Sequence, residues 1–258
     1  MKKLVLILIT LLPTIIFGQQ TEGIIIFEET IEHDIEANMS EEDKAHMAQF
    51  GDIMAQLGNL SSEKQLIFTA KESIYKAYKP GDDTQTISSE EGDFQIMTMV
   101  VTPEEVIYQD YENEKIIEQK EFMQKKFLLN YEMKSSLWKI SGEQKEILGY
   151  PCIKAMLNDT AESIEAWFTL QIPVPSGPST FGQLPGMILQ VAIDEGKLKL
   201  TAKTIEFKTV DKDEIVPPKK GKKVSEEEFR KIAEEKTKEM QEVYEGEGGI
   251  RMEIQIGD

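Results

Sequence analysis

Short runs of alternating apolar and polar residues fill most of the chain between residues 63 and 208, after a first β-rich run at 23–32. A period of two places every second side chain on one face of a β-strand, and polar or turn residues bound each run. One such turn is predicted at Ser-Gly-Glu 141–143, joining two strands of a hairpin. Regular returns between short strands are typical of antiparallel sheets. The pattern predicts a curved antiparallel β-sheet or half-barrel.

Two segments change to a helical period. Residues 40–58 begin with a serine and three acids and then carry apolar residues at helical spacing. Residues 226–244 follow a capping box formed by Ser225 and Glu228, after a Pro- and Lys-rich linker at 217–223. Each helix has one apolar stripe, so we expect helices and sheet to cover each other. The predicted fold class is α+β, a curved antiparallel sheet packed by two amphipathic helices.

The N-terminus has the pattern of an exported protein. Two lysines precede an apolar run at 4–16, which ends near a small residue. This predicts a secretory signal peptide over 1–18 and a single β-rich domain over 19–258. The apolar run is shorter than the ~20 residues of a membrane-spanning helix. A retained N-terminal anchor is the alternative.

Charge and motifs exclude several classes of function. The formal net charge is −18, which argues against nucleic acid as a partner because phosphate binding depends on Lys and Arg. Cys152 is the one cysteine, and it lies in an apolar segment where a buried, unreactive thiol is expected. No motif of a hydrolase, a phosphate-binding loop or a cofactor-binding protein occurs. We therefore expect no enzyme activity and no cofactor.

The stretch QIPVPSGPSTFGQLPGMIL at 171–189 interrupts the strand pattern. Pro173 and Pro175 must end the preceding strand, because proline donates no hydrogen bond to a sheet. Leu-Pro185-Gly186 predicts a type II turn with Gly186 at positive φ. The substitution Gly186→Ala is then expected to destabilise the protein by more than about 1 kcal/mol.

This stretch also resembles a known family. GQLPGMIL is similar to the motif that names the GLPGLI family of secreted bacterial proteins, with Gln183 inserted and Met187 in place of leucine. LWKI, ILGYPCIKA and VSEEEFRKIAEE extend the resemblance. It implies an exported protein in the periplasm or cell envelope of a Gram-negative bacterium, with no established activity. The architecture also resembles periplasmic lipoprotein carriers, in which a curved sheet wraps an apolar hollow.

These observations together predict a non-enzymatic binding or carrier protein. It would hold an apolar ligand, a lipid chain or a polypeptide in the hollow of the sheet, with the Pro-Gly stretch shaping one rim. An envelope protein is a further candidate partner. The candidate binding residues are Phe181, Leu184, Pro185, Gly186, Met187, Trp167 and Phe168.

Two alternatives stay open from the sequence. Thioether and imidazole groups suit Cu(I), and the candidate ligands are His46, Met47, Met54, Met97 and Met99. The same methionines are also explained as core residues that fill irregular gaps. The second alternative is an envelope structural or interaction module without a small ligand, which a filled core would favour.

Overall fold

The computed structural model describes residues 20–32, 59–79, 84–88, 95–99, 104–135, 137–157 and 163–246. Three sequence predictions lie outside these residues. They concern the signal peptide over 1–18, the helix over 40–58, and the side chains of all five candidate copper ligands.

Strands dominate the described part of the chain. The strands are β1 (Gly23–Glu32), β2 (Asn59–Phe68), β3 (Glu72–Ala77), β4 (Thr84–Ser88), β5 (Gln95–Met99), β6 (Glu105–Asp110), β7 (Lys115–Phe122), β8 (Lys125–Glu132), β9 (Lys139–Ile147), β10 (Tyr150–Leu157), β11 (Ile164–Thr169), β12 (Met187–Ile193), β13 (Leu198–Phe207) and β14 (Lys222–Val224). A helix, α1, spans Glu226–Gly246. No helix in the described ranges is long and apolar enough to cross a bilayer.

Twelve strands form one sheet in the order β14-β8-β7-β6-β3-β2-β1-β13-β12-β11-β10-β9, and β4 pairs with β5 separately. All pairs are antiparallel except β14 with β8, so the sheet is mixed. The predicted α+β class with two packing helices is therefore wrong. The described part holds one α-helix, which meets the sheet beside β8, and the sheet covers its own apolar surface.

One core is built from strands at both ends of the sheet order. Its buried members include Ile25 and Phe27 of β1, Ile116 of β7, and Cys152 and Ala155 of β10. Since distant strands share this cluster, the sheet curls around it. We call the side that faces this cluster the inner face.

The opposite, outer face is covered by the chain that follows β13. Ile67, Ile74, Tyr108 and Ile215 form a second buried cluster, against which Val210 packs. In β2, Leu66 and Phe68 join the inner cluster while Ile67 joins the outer one, as a period of two requires. The central strands are therefore buried on both faces.

The predicted hairpin turn at 141–143 is wrong. β9 runs without a break from Lys139 to Ile147, and the turn to β10 follows at Leu148-Gly149. These two residues have φ values of 51° and 82°, the positive values that a two-residue type I′ turn requires. Ser-Gly-Glu looked like a turn because of its composition, but Gly142 lies in the irregular part of the strand.

The start of α1 confirms the predicted capping box. The backbone N–H of Ser225 donates to Glu228 Oε2 at 2.9 Å, and the backbone N–H of Glu228 donates to Ser225 Oγ at 3.1 Å. The segment at 217–223, which was predicted to be a linker, is in part a strand. Its last residues, Lys222 and Lys223, pair with β8 as part of β14.

Candidate functional site

The Pro-Gly segment at 170–186 fills the inner face of the sheet. Ile172, Val174 and Leu184 are at most 2% exposed and belong to the core cluster. The backbone N–H of Val174 donates to the carbonyl of Ile172 at 2.8 Å, which bends the chain tightly between the two prolines. An apolar ligand bound there would have to displace these side chains.

Polar side chains of the sheet hold this segment in place. The Tyr111 hydroxyl lies 2.5 Å from the Oγ atoms of both Ser73 and Ser176. Burial raises the pKa of Tyr111 to about 12, so the hydroxyl stays protonated at neutral pH. On the far side, Trp138 Nε1 donates to the carbonyl of Gly182 at 3.0 Å. The segment is thus held both from the β3–β6 side of the sheet and from the residue that precedes β9.

The predicted binding residues divide between the core and its rim. Leu184, Met187, Trp167 and Phe168 are at most 6% exposed. Gly186 is also buried, Phe181 packs half-buried against the core, and Pro185 is exposed. Their role in binding stays a prediction. The geometry shows that the four core side chains pack in the interior.

Gly186 is required for a different reason from the predicted one. Its φ lies outside the left-handed region, so the expected type II turn is wrong. A Cβ at this position would lie 2.1 Å from the carbonyl oxygen of Thr169. The close approach of two backbone segments, rather than φ, excludes a side chain here. Gly186→Ala is still expected to destabilise the protein.

A charged cluster lies on the inner face beside the apolar core. The Glu118 side chain is 3% exposed, and its Oε1 lies 3.0 Å from Lys120 Nζ. The same ammonium lies 3.7 Å from Glu105 Oε1, and Tyr131 donates its hydroxyl to Glu118 Oε2 at 2.9 Å. Two carboxylates therefore share one lysine in a largely buried setting.

The pKa of Glu105 in this cluster is raised towards neutral pH. Burial raises the pKa of Glu105 to about 7 against the opposing charge of Lys120, and the charge and hydrogen bonding of Glu118 raise it further. Sequence reasoning missed the cluster, because Glu118 and Lys120 look like the polar half of an alternating strand. The sequence did contain a signal for the cluster. Glu118 and Lys120 lie two and four residues after Ile116, which places all three side chains on one face of the strand.

The outer edge of β9 is the most exposed apolar region beside the sheet. Leu137, Ile140 and Leu148 are 65%, 55% and 46% exposed. β9 ends the strand order, so no described strand pairs with this edge. Every second backbone donor and acceptor of an edge strand points away from the sheet. Sequence reasoning missed this surface because it divided β9 into two strands.

Trp167 lies two strands inward from this edge. Lys145 Nζ lies 4.1 Å from the centroid of the indole ring, and Lys154 Nζ lies 5.8 Å from it. The indole Nε1 donates to Glu165 Oε1 at 2.6 Å. Cationic side chains therefore cover the ring, which accounts for its burial.

Cys152 and metal binding are the two kinds of chemistry that the sequence raised. Cys152 is free and buried, as expected, and burial raises the pKa of its thiol to about 11. No three His, Cys, Asp or Glu side chains among the described residues are grouped to hold a metal ion. The candidate copper ligands are not part of this search, because their side chains lie outside those residues.

Comparison with protein families identifies the family of this chain. The model described as "N-glycanase peptide, N-terminal domain" matches residues 81–230, more than half of the chain. The predicted resemblance to the GLPGLI family is therefore wrong. The shared Pro-Gly motif is short, and its residues are explained by core packing and by a close backbone approach. Comparison with curated proteins gives no match.

Two solved structures of PNGF-II, in different crystal forms, share the fold. The first is 16% identical with a TM-score of 0.53, and the match covers 84% of this chain and 34% of that one. The second is 15% identical with a TM-score of 0.54, and the match covers 84% and 33%. The matched region spans about a third of the length of those proteins.

These matches are consistent with an exported protein. They give no support to the predicted signal peptide, which lies outside the described residues, or to a periplasmic location. The filled core and the exposed edge of β9 are therefore the features from which we infer a function.

Proposed function

We propose a function from the premise that this chain belongs to the family described as N-glycanase peptide, N-terminal domain. The protein is a non-catalytic binding module that holds an extended polypeptide segment along the outer edge of β9. The observation that carries this proposal is a nine-residue edge strand whose outer side pairs with no strand in the described part of the chain and which is flanked by exposed apolar side chains.

The filled core supports an interaction module over a carrier. Core side chains and the Pro-Gly segment occupy the place where the predicted hollow would lie. Two cavities described at the surface measure about 430 and 210 Å³ and are lined by both polar and apolar residues. A lipid chain enclosed by the sheet is disfavoured, whereas a polypeptide bound at an edge needs no hollow.

The chemistry of β9 favours a strand as the occupant. An extended peptide that pairs with an edge strand gains main-chain hydrogen bonds, and side chains on the edge supply selectivity. Ile140 and Leu148 offer apolar contacts, while Lys139 and Glu146 offer charges of both signs. The opposite edge of the sheet already shows such pairing, because β14 adds to β8.

The family supports a glycosylated polypeptide as the partner. An N-glycanase, by its name, acts on N-linked glycans, which polypeptides carry. The matched PNGF-II chains are about three times as long as the matched region, so the domain there accompanies other parts of the protein. A module that holds the polypeptide near a glycan would serve such an activity without performing it.

A non-catalytic role also agrees with the titratable groups. The Cys152 thiol is buried with a raised pKa, so it is a poor nucleophile. Lys120 partly neutralises the pair formed by Glu105 and Glu118. We also place the protein outside the cytoplasm, in the periplasm or cell envelope, because the family matches are consistent with an exported protein.

Peptide capture tests the proposal. The full chain is immobilised and exposed to a tryptic digest of a reduced, alkylated N-glycoprotein, and retained peptides are identified by mass spectrometry. The tightest peptide is then titrated by fluorescence anisotropy. We expect Ile140→Lys to weaken binding about tenfold, because an apolar contact is lost and a charge is placed on the edge.

Leu170→Lys is the matched control, because Leu170 is 54% exposed and directly follows β11, which β10 separates from β9. Its affinity should equal that of the parent. Failure to retain any peptide, or equal affinities in all three proteins, would contradict binding at β9. Incubated glycopeptides should also keep their mass, and release of a glycan would contradict the non-catalytic role.

A further inference from the structure

A cluster of lysines stands on a fixed backbone beside β8. Four lysines lie within 219–223 of a chain whose net charge is −18. Pro217 and Pro218 stiffen the approach to them. At Gly221, φ is 130° and a Cβ would lie 2.8 Å from the carbonyl carbon of Phe127. Only glycine allows this contact between backbones, so the position of the lysines is set by the fold.

A cavity of about 430 Å³ opens next to two of these lysines. Lys223 of β14 lies beside Leu128 of β8, and Leu128 forms part of the cavity floor with Ile117 and Val224. Lys219 lies at the wall of the cavity. The volume is within the usual ~300–1,000 Å³ of small-molecule sites. An apolar floor is thus combined with two ammonium groups.

The charges of this cavity are not balanced from within. In the described part of the chain, Lys219 and Lys223 form no ion pair. Glu228 is the one acid in the lining, and it is engaged by the backbone N–H of Ser225 at 2.9 Å. Hydrogen bonds from Ser225 lower the pKa of Glu228, which keeps it ionised in the capping box. The lining therefore carries a net charge of +1, which attracts an anion.

We propose that this cavity binds a small amphiphilic anion. A phosphate or carboxylate head lies between Lys219 and Lys223, because two ammonium groups complement its charge and donate hydrogen bonds to its oxygens. A short apolar chain covers Ile117 and Leu128, which gains free energy by removing apolar surface from water. This site is at the opposite edge of the sheet from β9 and is independent of peptide binding.

Calorimetric titration with octyl phosphate, below its micellar concentration, tests the site. Inorganic phosphate and octyl glucoside supply the head and the chain separately and should each bind more weakly. The double variant Lys219→Gln/Lys223→Gln should lose about tenfold in affinity, since each lysine contributes a charged hydrogen bond. Lys220→Gln/Lys222→Gln removes the same charge outside the cavity and should retain the parental affinity.

Three outcomes would overturn the proposal. They are no binding of octyl phosphate, equal losses in the two double variants, and inorganic phosphate binding as tightly as octyl phosphate. All four lysines are exposed, so unchanged melting temperatures should show that both variants fold. If the site binds, sedimentation with phosphatidylglycerol vesicles distinguishes the sources. Sedimentation lost only in the Lys219/Lys223 variant assigns a bilayer headgroup, and no sedimentation assigns a free amphiphile.

Discussion

One edge of the twelve-stranded sheet is covered, and the other is exposed among the described strands. At one edge, β14 pairs with β8, and Phe229 of α1 packs its ring against Phe127 at a centroid distance of 5.3 Å. At the other edge, β9 ends the sheet among the described strands, and apolar side chains such as Ile140 are exposed. Covering the β8 edge therefore depends on particular residues, such as Phe229, and β9 lacks them.

Glycines at the two edges show this difference directly. Gly221 holds a positive φ and touches the backbone of β8, whereas a Cβ at Gly142 of β9 would meet no atom within 4 Å. One glycine is required by a close approach, and the other is free to be replaced. Substitutions at these and neighbouring positions test this contrast between the edges.

Gly221→Val should have the largest effect. A β-branched residue is strained at this φ and its Cβ collides with β8, so we expect a loss of about 2–3 kcal/mol in the free energy of unfolding. Chemical denaturation measures the loss, and hydrogen exchange should show reduced protection at 222–224. Gly142→Val is the matched control and should stay within about 0.5 kcal/mol of the parent. Equal losses at both glycines would remove the contrast between the edges.

Phe229→Ala should have the next largest effect. The ring also packs edge-on against Phe122 at 6.2 Å, and Lys120 Nζ lies 5.8 Å from its centroid. We expect a loss of about 2 kcal/mol, less than for a fully buried phenylalanine, because Phe229 is half-buried. Thermal unfolding measures it, with the exposed neighbour Arg230→Ala as control. A parental melting temperature would show that α1 does not stabilise this edge.

Glu105 and Glu165 lie in different halves of the sheet, and they should stabilise the protein in opposite pH ranges. The folded pKa of Glu105, about 7, is above its ordinary value of 4.5, so stability is present below pH 4.5 and is lost as pH rises to about 7. The pKa of Glu165 is lowered although its burial acts to raise it, because Lys154 and Trp167 donate hydrogen bonds to it. Its contribution is present above pH 4.5 and is lost at lower pH.

Unfolding free energies measured from pH 3 to 8 test these signs. Glu105→Gln should flatten the fall between about pH 4.5 and 7 and leave the protein at least as stable as the parent at pH 8. Glu165→Gln should change only the acid side of the profile. A Glu105→Gln profile parallel to that of the parent would show that Glu105 titrates normally.

Ile140→Lys should have the smallest effect on stability. The side chain is already 55% exposed, so the free energy of unfolding should change by less than about 0.5 kcal/mol. Chemical denaturation measures this change. A change this small would show that any loss of peptide binding does not come from a loss of folding. A large destabilisation would instead show that Ile140 packs against part of the protein itself.

Local rules predicted several features of this molecule well. The capping box at Ser225 and Glu228, the first strand and the buried Cys152 follow from neighbouring residues or from a short periodic pattern. Each depends on interactions within a few residues or on simple burial of an apolar segment. The prolines of the Pro-Gly stretch also ended β11 as expected.

Long-range contacts account for the failures. Gly186 was assigned a turn, but the restraint is the Thr169 carbonyl. Ser-Gly-Glu at 141–143 was assigned a turn, but pairing with β10 keeps it in β9. The family was assigned from the Pro-Gly motif and several short segments around it, whereas the family match extends over 81–230. For Gly186 and for β9, residues that are separate in sequence but adjacent in the fold decide the outcome.

The sequence by itself determined the strand-rich character, the start of α1 and the acidity of the protein, because these depend on periodicity and composition. Only the tertiary structure decided which side chains face inward together, which edge is closed and whether a hollow exists. Pairing register and the curl of the sheet bring Glu105 to Glu118 and place Val174 in the core. A single strand carries no information about its neighbours until hydrogen bonding and burial fix their order.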